Sequence, residues 1–296
     1  MPERNGYLPG VPCWVDTGQP DPAAAVDFYS GLFGWELEDV MPPGSPGPYY
    51  IARLRGGDVA AIASQSGDGS SAAVWNTYIW VFSADESAAK VRAAGGSIVT
   101  EPFDVPNAGR MAVFADPEGA EFRVWQARQH KGAQIVNEQG ALNFNTLNTR
   151  DAERAKAFYG AVFGWETLQL GPGGAMWTLP GYGDHLEESD PQLRRRMAEV
   201  EAPEGFEDVV AALNAIPADQ GEAPARWDVT FGVEDADATA ARAVELGGKL
   251  IAPPFDAPWV RMAIVADPQG ATFTASQFVP ENRHLESQGA TTAEAA

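Results

Sequence analysis

Basic residues and cysteine are scarce in this chain, and each shortage narrows what the protein does. Lys and Arg number 20 against 41 Asp and Glu, a formal net charge of −21. A surface of that sign repels phosphate backbones and anionic lipid, so neither nucleic acid nor membrane is an expected partner. The only cysteine, Cys13, has no second thiol to pair with, as expected of a protein held in the reducing cytoplasm. No apolar run is long enough to span a bilayer. The start, Met1-Pro2-Glu3-Arg4-Asn5-Gly6, lacks the charged-then-apolar pattern of a secretory signal. His130, His185 and His284 are far apart, with no second ligand at a chelating spacing, and each is expected at the surface. Nucleophile elbows, phosphate-cradling glycine loops and dinucleotide fingerprints are missing from their proper contexts.

What the chain does have is a repeat. Phe28-Tyr29 followed by Leu32-Phe33-Gly34-Trp35-Glu36 returns as Phe158-Tyr159 followed by Val162-Phe163-Gly164-Trp165-Glu166, an offset of 130. Trp75 returns as Trp227, Gly95-Gly96 as Gly247-Gly248, and Pro102-Phe103-Asp104 as Pro254-Phe255-Asp256, all at 152. Asp116-Pro117-Glu118-Gly119-Ala120 returns as Asp267-Pro268-Gln269-Gly270-Ala271, at 151. The order is kept and the offset grows by about 22, so the second copy carries an insertion.

Within the first copy, Pro12 to Thr17 alternates as a strand. Asp21-Pro22 opens a helix with a capping carboxylate and a proline at its first position; Ala25, Phe28 and Leu32 share its buried face. Strands are expected near Tyr49 to Leu54 and Trp75 to Phe82, a second helix over Glu86 to Ala94, and a closing hairpin over Arg110 to Gln126. The spacing divides the chain into a first module over 8–130, a linker over 131–139, a second module over 140–280 with an insertion over 181–226, and a disordered tail over 281–296. In the insertion, Asp190 to Val200 and Phe206 to Ile216 have helical spacing, the latter with Phe206, Val209, Val210 and Leu213 on one stripe. A cover over core, a pocket lid, a clamp between halves and a dimer contact are all open roles for it.

The Phe-Tyr helix running into Phe-Gly-Trp, the Gly-Gly that ends the second helix, and the Asp-Pro-x-Gly-Ala hairpin resemble the vicinal oxygen chelate superfamily, in its two-module glyoxalase-like branch. The resemblance runs from about Leu8 to Phe278 and implies an α+β fold, tandem βαβββ modules whose curved mixed sheets form cups around a ligand. Metal-dependent members place His, Gln or Glu on three strands. Those positions fall here on Trp14 and Phe144, on Asn76 and Asp228, and on Arg123 and Thr274. Divalent metal catalysis needs about three ligands from the His, Glu, Asp and Cys set, so no metal and no other cofactor is expected.

Strand alternation sorts the remaining side chains. Trp75, Thr77, Ile79 and Val81, with Trp227, Val229, Phe231 and Val233, belong under the helices. Asn76, Tyr78 and Trp80 face the first cup, with Trp14 and Asp16 from the first strand and Arg123 and Trp125 from the last. The second cup receives Phe144, Asp228, Thr230, Thr272 and Thr274, with Ser276; Gly232, where the first copy has Trp80, is expected to leave room. Cys13 points away from the cup, into core. Aromatic walls with a few placed polar groups suit a flat organic ligand, although the same rings also serve simply to fill a cup. The expectation is metal-independent binding of a small aromatic molecule such as an antibiotic or polyketide. The alternative is a glyoxalase-like lyase, isomerase or oxygenase acting on a small carbonyl or aromatic substrate. With two modules in one chain, a monomer or a homodimer suffices.

Overall fold

The computed structural model describes residues 3–65, 72–170, 174–217, 221 and 223–285. The first half runs β1 (Pro12–Gln19), α1 (Pro22–Phe33), β2 (Glu36–Asp39), β3 (Tyr49–Leu54), β4 (Gly57–Ser64), β5 (Val74–Trp80), α2 (Ala84–Ala93), β6 (Ser97–Val105), β7 (Gly109–Ala115) and β8 (Glu121–Ala127). The second repeats this as β9 (Leu142–Thr149), α3 (Ala152–Phe163), β10 (Glu166–Gln169), β11 (Gly174–Thr178), β12 (Val209–Ala215), β13 (Arg226–Gly232), α6 (Ala236–Glu245), β14 (Lys249–Ala257), β15 (Val260–Ala266) and β16 (Thr272–Phe278). Between β11 and β12 lie α4 (Tyr182–Ser189), α5 (Leu193–Glu199) and a 3-10 turn over Phe206–Asp208.

Each half contains two βαβββ units that share one mixed eight-stranded sheet, ordered β2-β3-β4-β1-β5-β8-β7-β6 in the first and β10-β11-β12-β9-β13-β16-β15-β14 in the second. The helices start where the sequence puts caps. Asp21 accepts from the amides of Ala23 and Ala24 at 3.1 Å, and Asp151 accepts from Arg154 at 3.0 Å. The matching strands keep register: Asp16 stands beside Ala61 and Asn76, and Thr146 beside Ala212 and Asp228.

The two sheets meet through the faces that carry helices. Trp75 lies 5.0 Å from Phe231 of the other half, and Phe33 lies 5.2 Å from Phe231 and 5.7 Å from Phe273. Thr77 is the polar member of this row, and its hydroxyl donates to Asn145 Oδ1 across the junction at 2.8 Å. The repeated motifs find their partners here. Asp267 Oδ1 accepts the turn amides of Gln269 and Ala271, while its Oδ2 accepts the Tyr29 hydroxyl at 2.9 Å. Tyr29 in turn accepts from Trp75 Nε1 at 3.0 Å. The mirror chain runs from Trp227 through Tyr159 to Asp116, at 2.9 and 3.2 Å. Phe-Tyr and Asp-Pro are therefore one device, each half supplying one part to the other.

Three expectations change. The stretch Phe206 to Ile216 is not a helix. It is the 3-10 turn followed by strand β12, which pairs parallel with β9 and antiparallel with β11. The added segment is consequently shorter than 181–226, and lies within the β11–β12 connection. The stretch expected to be disordered from 281 begins instead as a 3-10 turn over Pro280–His284, where Asn282 Nδ2 donates to Asp256 Oδ1 at 3.0 Å and to the Val260 carbonyl at 3.1 Å. Residues 286–296 lie outside the described residues. Among the described residues, no helix is long and apolar enough to cross a membrane.

Candidate functional site

The sheet faces turned away from the helices form two cups. In the first, Asp16 is buried at the centre. Its Oδ2 accepts the Tyr78 hydroxyl at 2.6 Å and the Tyr49 hydroxyl at 3.2 Å, and its Oδ1 accepts Asn76 Nδ2 at 2.7 Å. Trp14 Nε1 donates to the Tyr49 oxygen at 3.1 Å. Burial first, and the Asp16 charge second, push the Tyr49 and Tyr78 hydroxyls well above the usual phenol range, so both remain donors. Arg123 does not supply the counter-charge to Asp16; its guanidinium lies over the Tyr78 ring, 5.8 Å from the centroid. Trp80 stands at one end, 6.0 Å from Tyr7 of the N-terminal segment.

Two of these residues escape a sequence reading. Tyr49 lies on β3, with small Ala61 on the intervening β4 leaving a path to Asp16. His130 is not a surface residue. Its ring packs edge-on to Trp14 at 4.4 Å and Trp125 at 5.6 Å, with Nδ1 3.8 Å from Asp58. The Trp125 indole donates to the His130 carbonyl at 2.9 Å. Burial lowers the imidazole below its ordinary value, and Nε2 has no partner. A histidine in a connecting segment has no strand alternation to betray it. His284 lies exposed, as expected, and His185 is half-buried. Cys13 is wholly buried, and burial raises its thiol well above the ordinary range.

The second cup has the same backbone and another filling. Phe144, Thr230 and Thr274 stand side by side across β9, β13 and β16. Thr230 and Ser276 are buried, while Phe144, Thr146, Asp228, Thr272 and Thr274 are half-buried. Among the described residues, the hydroxyls of Thr146, Thr230, Thr272, Thr274 and Ser276 have no protein partner, and none is sealed from solvent. Asp228 accepts from Asn148 Nδ2 at 2.8 Å and Arg226 Nε at 3.0 Å; burial nevertheless raises its carboxyl. Gly232 does not leave room as expected. A Cβ there would meet the Glu138 carbonyl at 2.8 Å, because the linker backbone occupies the place Trp80 fills in the first half.

Neither cup offers a metal-binding donor set. The family ligand positions carry Trp14, Asn76 and Arg123 in one, and Phe144, Asp228 and Thr274 in the other, while Asp16 is engaged by three donors. Among the described residues, no three His, Cys, Asp or Glu side chains converge. These residues do not fit a divalent ion. A cleft of about 380 Å³ lies outside both cups, between α2 and α3, lined by Phe82, Lys90 and Gly160 among others. Its counterpart between α1 and α6 is narrowed by Leu246 and Arg242 against Gly31. The charged side chains in the lining of the first cleft are Glu86 and Lys90.

Comparison with known proteins now decides the lineage. The model of the Glyoxalase/Bleomycin resistance protein/Dioxygenase superfamily matches residues 15–124, and that of the Glyoxalase-like domain matches 145–276. The chain belongs to this superfamily. Within it, the chain is 38% identical over 292 residues to "Putative glyoxylase CFP32" of Mycobacterium tuberculosis, covering 95% of this chain and 100% of that one. It is 35% identical over 285 residues to anthracycline biosynthesis protein DauV of Streptomyces sp. strain C5, covering 92% and 94%. The Mn(II)-bound glyoxalase from Novosphingobium aromaticivorans shares the fold, with a TM-score of 0.58 at 16% identity over 97% of this chain and 87% of that one.

Proposed function

We propose that this superfamily member binds a small, flat aromatic molecule in its second cup, without a metal. One observation carries the reading: five hydroxyls without protein partners among the described residues share one partly buried face of the second sheet with the ring of Phe144. Hydroxyls that no protein atom engages are hydrated in the free protein and open to a ligand, and an aromatic wall gives it a surface to stack on. The first cup is assigned a structural role, because Asp16, Tyr78, Tyr49, Asn76 and Trp14 satisfy one another. The likeness to DauV, named for anthracycline biosynthesis, supports a polycyclic aromatic ligand. The acidic surface favours one that carries an amine.

Calorimetric titration with the hydroxyanthraquinone alizarin and with an amino-sugar-bearing anthracycline, in the presence of a chelator, tests this. One-to-one binding is expected, weakened about tenfold by Phe144→Ala, a loss of one stacking contact. Binding that vanishes with the chelator, or survives Phe144→Ala and Thr274→Val unchanged, overturns it. An acid–base catalyst is the second reading, favoured by the raised carboxyl of Asp228 in the same hollow; turnover of a carbonyl or aromatic substrate, lost in Asp228→Asn, identifies it.

A further inference from the structure

The two cups are closed by different pieces of chain. Across the first, residues 128–136 run from the β6–β7 turn to β4: the amides of Arg128 and His130 donate to the Ala108 carbonyl at 2.9 and 3.1 Å, and that of Gln134 donates to Asp58 at 2.7 Å. The His130 ring descends between Trp14 and Trp125 and plugs the space. After β16, among the described residues, the corresponding chain makes no such crossing. Asn282, one residue past Glu281 at the position of His130, stays at its own edge on Asp256 and Val260.

The crossing is made instead by the inserted segment 182–208. It leaves β11 and returns into β12, while its far bend reaches the β14–β15 turn on the other side of the sheet. There Trp259 Nε1 approaches the Val200 carbonyl at 3.4 Å, and Arg283 Nε donates to Glu201 at 2.9 Å. Within the segment, Arg194 pairs with Asp184, Glu187 and Glu207, Arg196 pairs with Asp190, and the Gly183 amide donates to Asp208 at 2.7 Å, while at its root Tyr182 is buried against the core and its hydroxyl accepts from Arg4 Nη1 at 2.8 Å. Its helices are bracketed by Gly181 and Gly205, both left-handed at φ 83° and 81°, with nothing within 4 Å of where a Cβ would stand. The far contact is also strained. Glu201 and Trp259 hold φ of 56° and 61°, a region costly for a bulky side chain. The first half puts Asn107, at φ 62°, where the second has Trp259. Asparagine tolerates that backbone, so the indole brings strain to the one place where it touches the inserted segment.

We infer that residues 182–208 form a strap that gates the second cup, its far bend around Val200 and Glu201 lifting away when the contacts of Trp259 with Val200 and of Arg283 with Glu201 release, while Tyr182 stays fixed in the core. This rests on the second cup as the ligand site. Stopped-flow mixing with alizarin tests it, comparing the wild type with Trp259→Asn/Arg283→Ala, whose first change installs the residue the other half uses. Association and dissociation rates are expected to rise together at least fivefold, with the equilibrium constant changed less than threefold. Unchanged rates alongside intact equilibrium binding overturn the strap and leave the ligand reading standing. Amide hydrogen exchange needs no ligand and reads the same device: the bend around Val200 and Glu201 is expected to exchange at least tenfold faster in the double variant, while β9 and β13 hold their wild-type rates. Equal exchange of the bend in both proteins overturns the strap even where no aromatic probe binds.

Discussion

The first and second cups share strand order, register and helix caps, yet their contents follow opposite rules. In the first, every polar group at the centre answers another: Tyr78, Tyr49 and Asn76 converge on Asp16, and an imidazole from the connecting chain fills the gap between two indoles. In the second, threonines replace the tyrosine and arginine, and a serine the closing-strand tryptophan, of the matching strands, and among the described residues their hydroxyls have no protein partner. Duplication gave the chain two hollows on one scaffold. One has become core, which frees the other from any part in holding its half together. A buried carboxylate with three donors stabilises a fold, whereas a row of accessible hydroxyls stabilises whatever sits on them.

The sharpest way to break this comparison is to truncate rings. Trp125→Ala should cost about 3–5 kcal/mol, the toll of a large aromatic lost from a close-packed interior, whereas Phe144→Ala, at a half-buried position, should cost less than about 2 kcal/mol. Urea unfolding of both variants measures the difference, and equal losses would remove the distinction between core and site. Next in size is the carboxylate pair. Asp16→Ala strands three donors and should cost about 3 kcal/mol, while Asp228→Ala, whose partner Arg226 is half-exposed, should stay within about 1 kcal/mol.

Acid separates the cups a third way. His130 sits below its ordinary value of 6.5 in the folded state, so the unfolded chain takes up the proton first. Stability should therefore begin to fall below about pH 6.5 and stop falling once the pH is under the lowered folded value. Asp228 has the opposite sign: its carboxyl is raised by burial, so protonation as pH drops towards 3.8 relieves a cost. Thermal melts from pH 8 to 4 should show the His130 slope in the wild type and lose it in His130→Gln; a slope unchanged in that variant places the titration elsewhere. The smallest effect expected is on the strap contact. Glu201→Ala should move the melting midpoint by no more than about 0.5 kcal/mol allows, because both partners are exposed.

The halves, the caps and the face assignments were legible because each rests on local rules: a carboxylate before a proline, a period of two along β1, β5 and β8. The strand β12 was not. Val210, Ala211 and Leu213 are all buried, so its alternation is blurred, and Phe206, Val209, Val210 and Leu213 happen to fall at helical spacing. His130 and Tyr49 stayed hidden because their places depend on chain far from them, on Trp14 for one and on a gap above Ala61 for the other. The same holds for Gly232, where the sequence shows a missing side chain but not the Glu138 carbonyl that takes its place. Local pattern assigned a residue to a cup, and only tertiary packing told whether that cup was full.

The crossed Trp–Tyr–Asp chains bear on how the molecule is made. Tyr29 finds its acceptor 238 residues further along, at Asp267. A nascent first half emerging from the ribosome thus carries Tyr29, Phe33 and Trp75 with their covering face still untranslated, and its apolar surface stays bare until β16 is complete. Synthesis order then favours late, concerted closure of both halves over sequential maturation, and a truncation before Asp267 should yield an aggregating product and no half-sized folded domain.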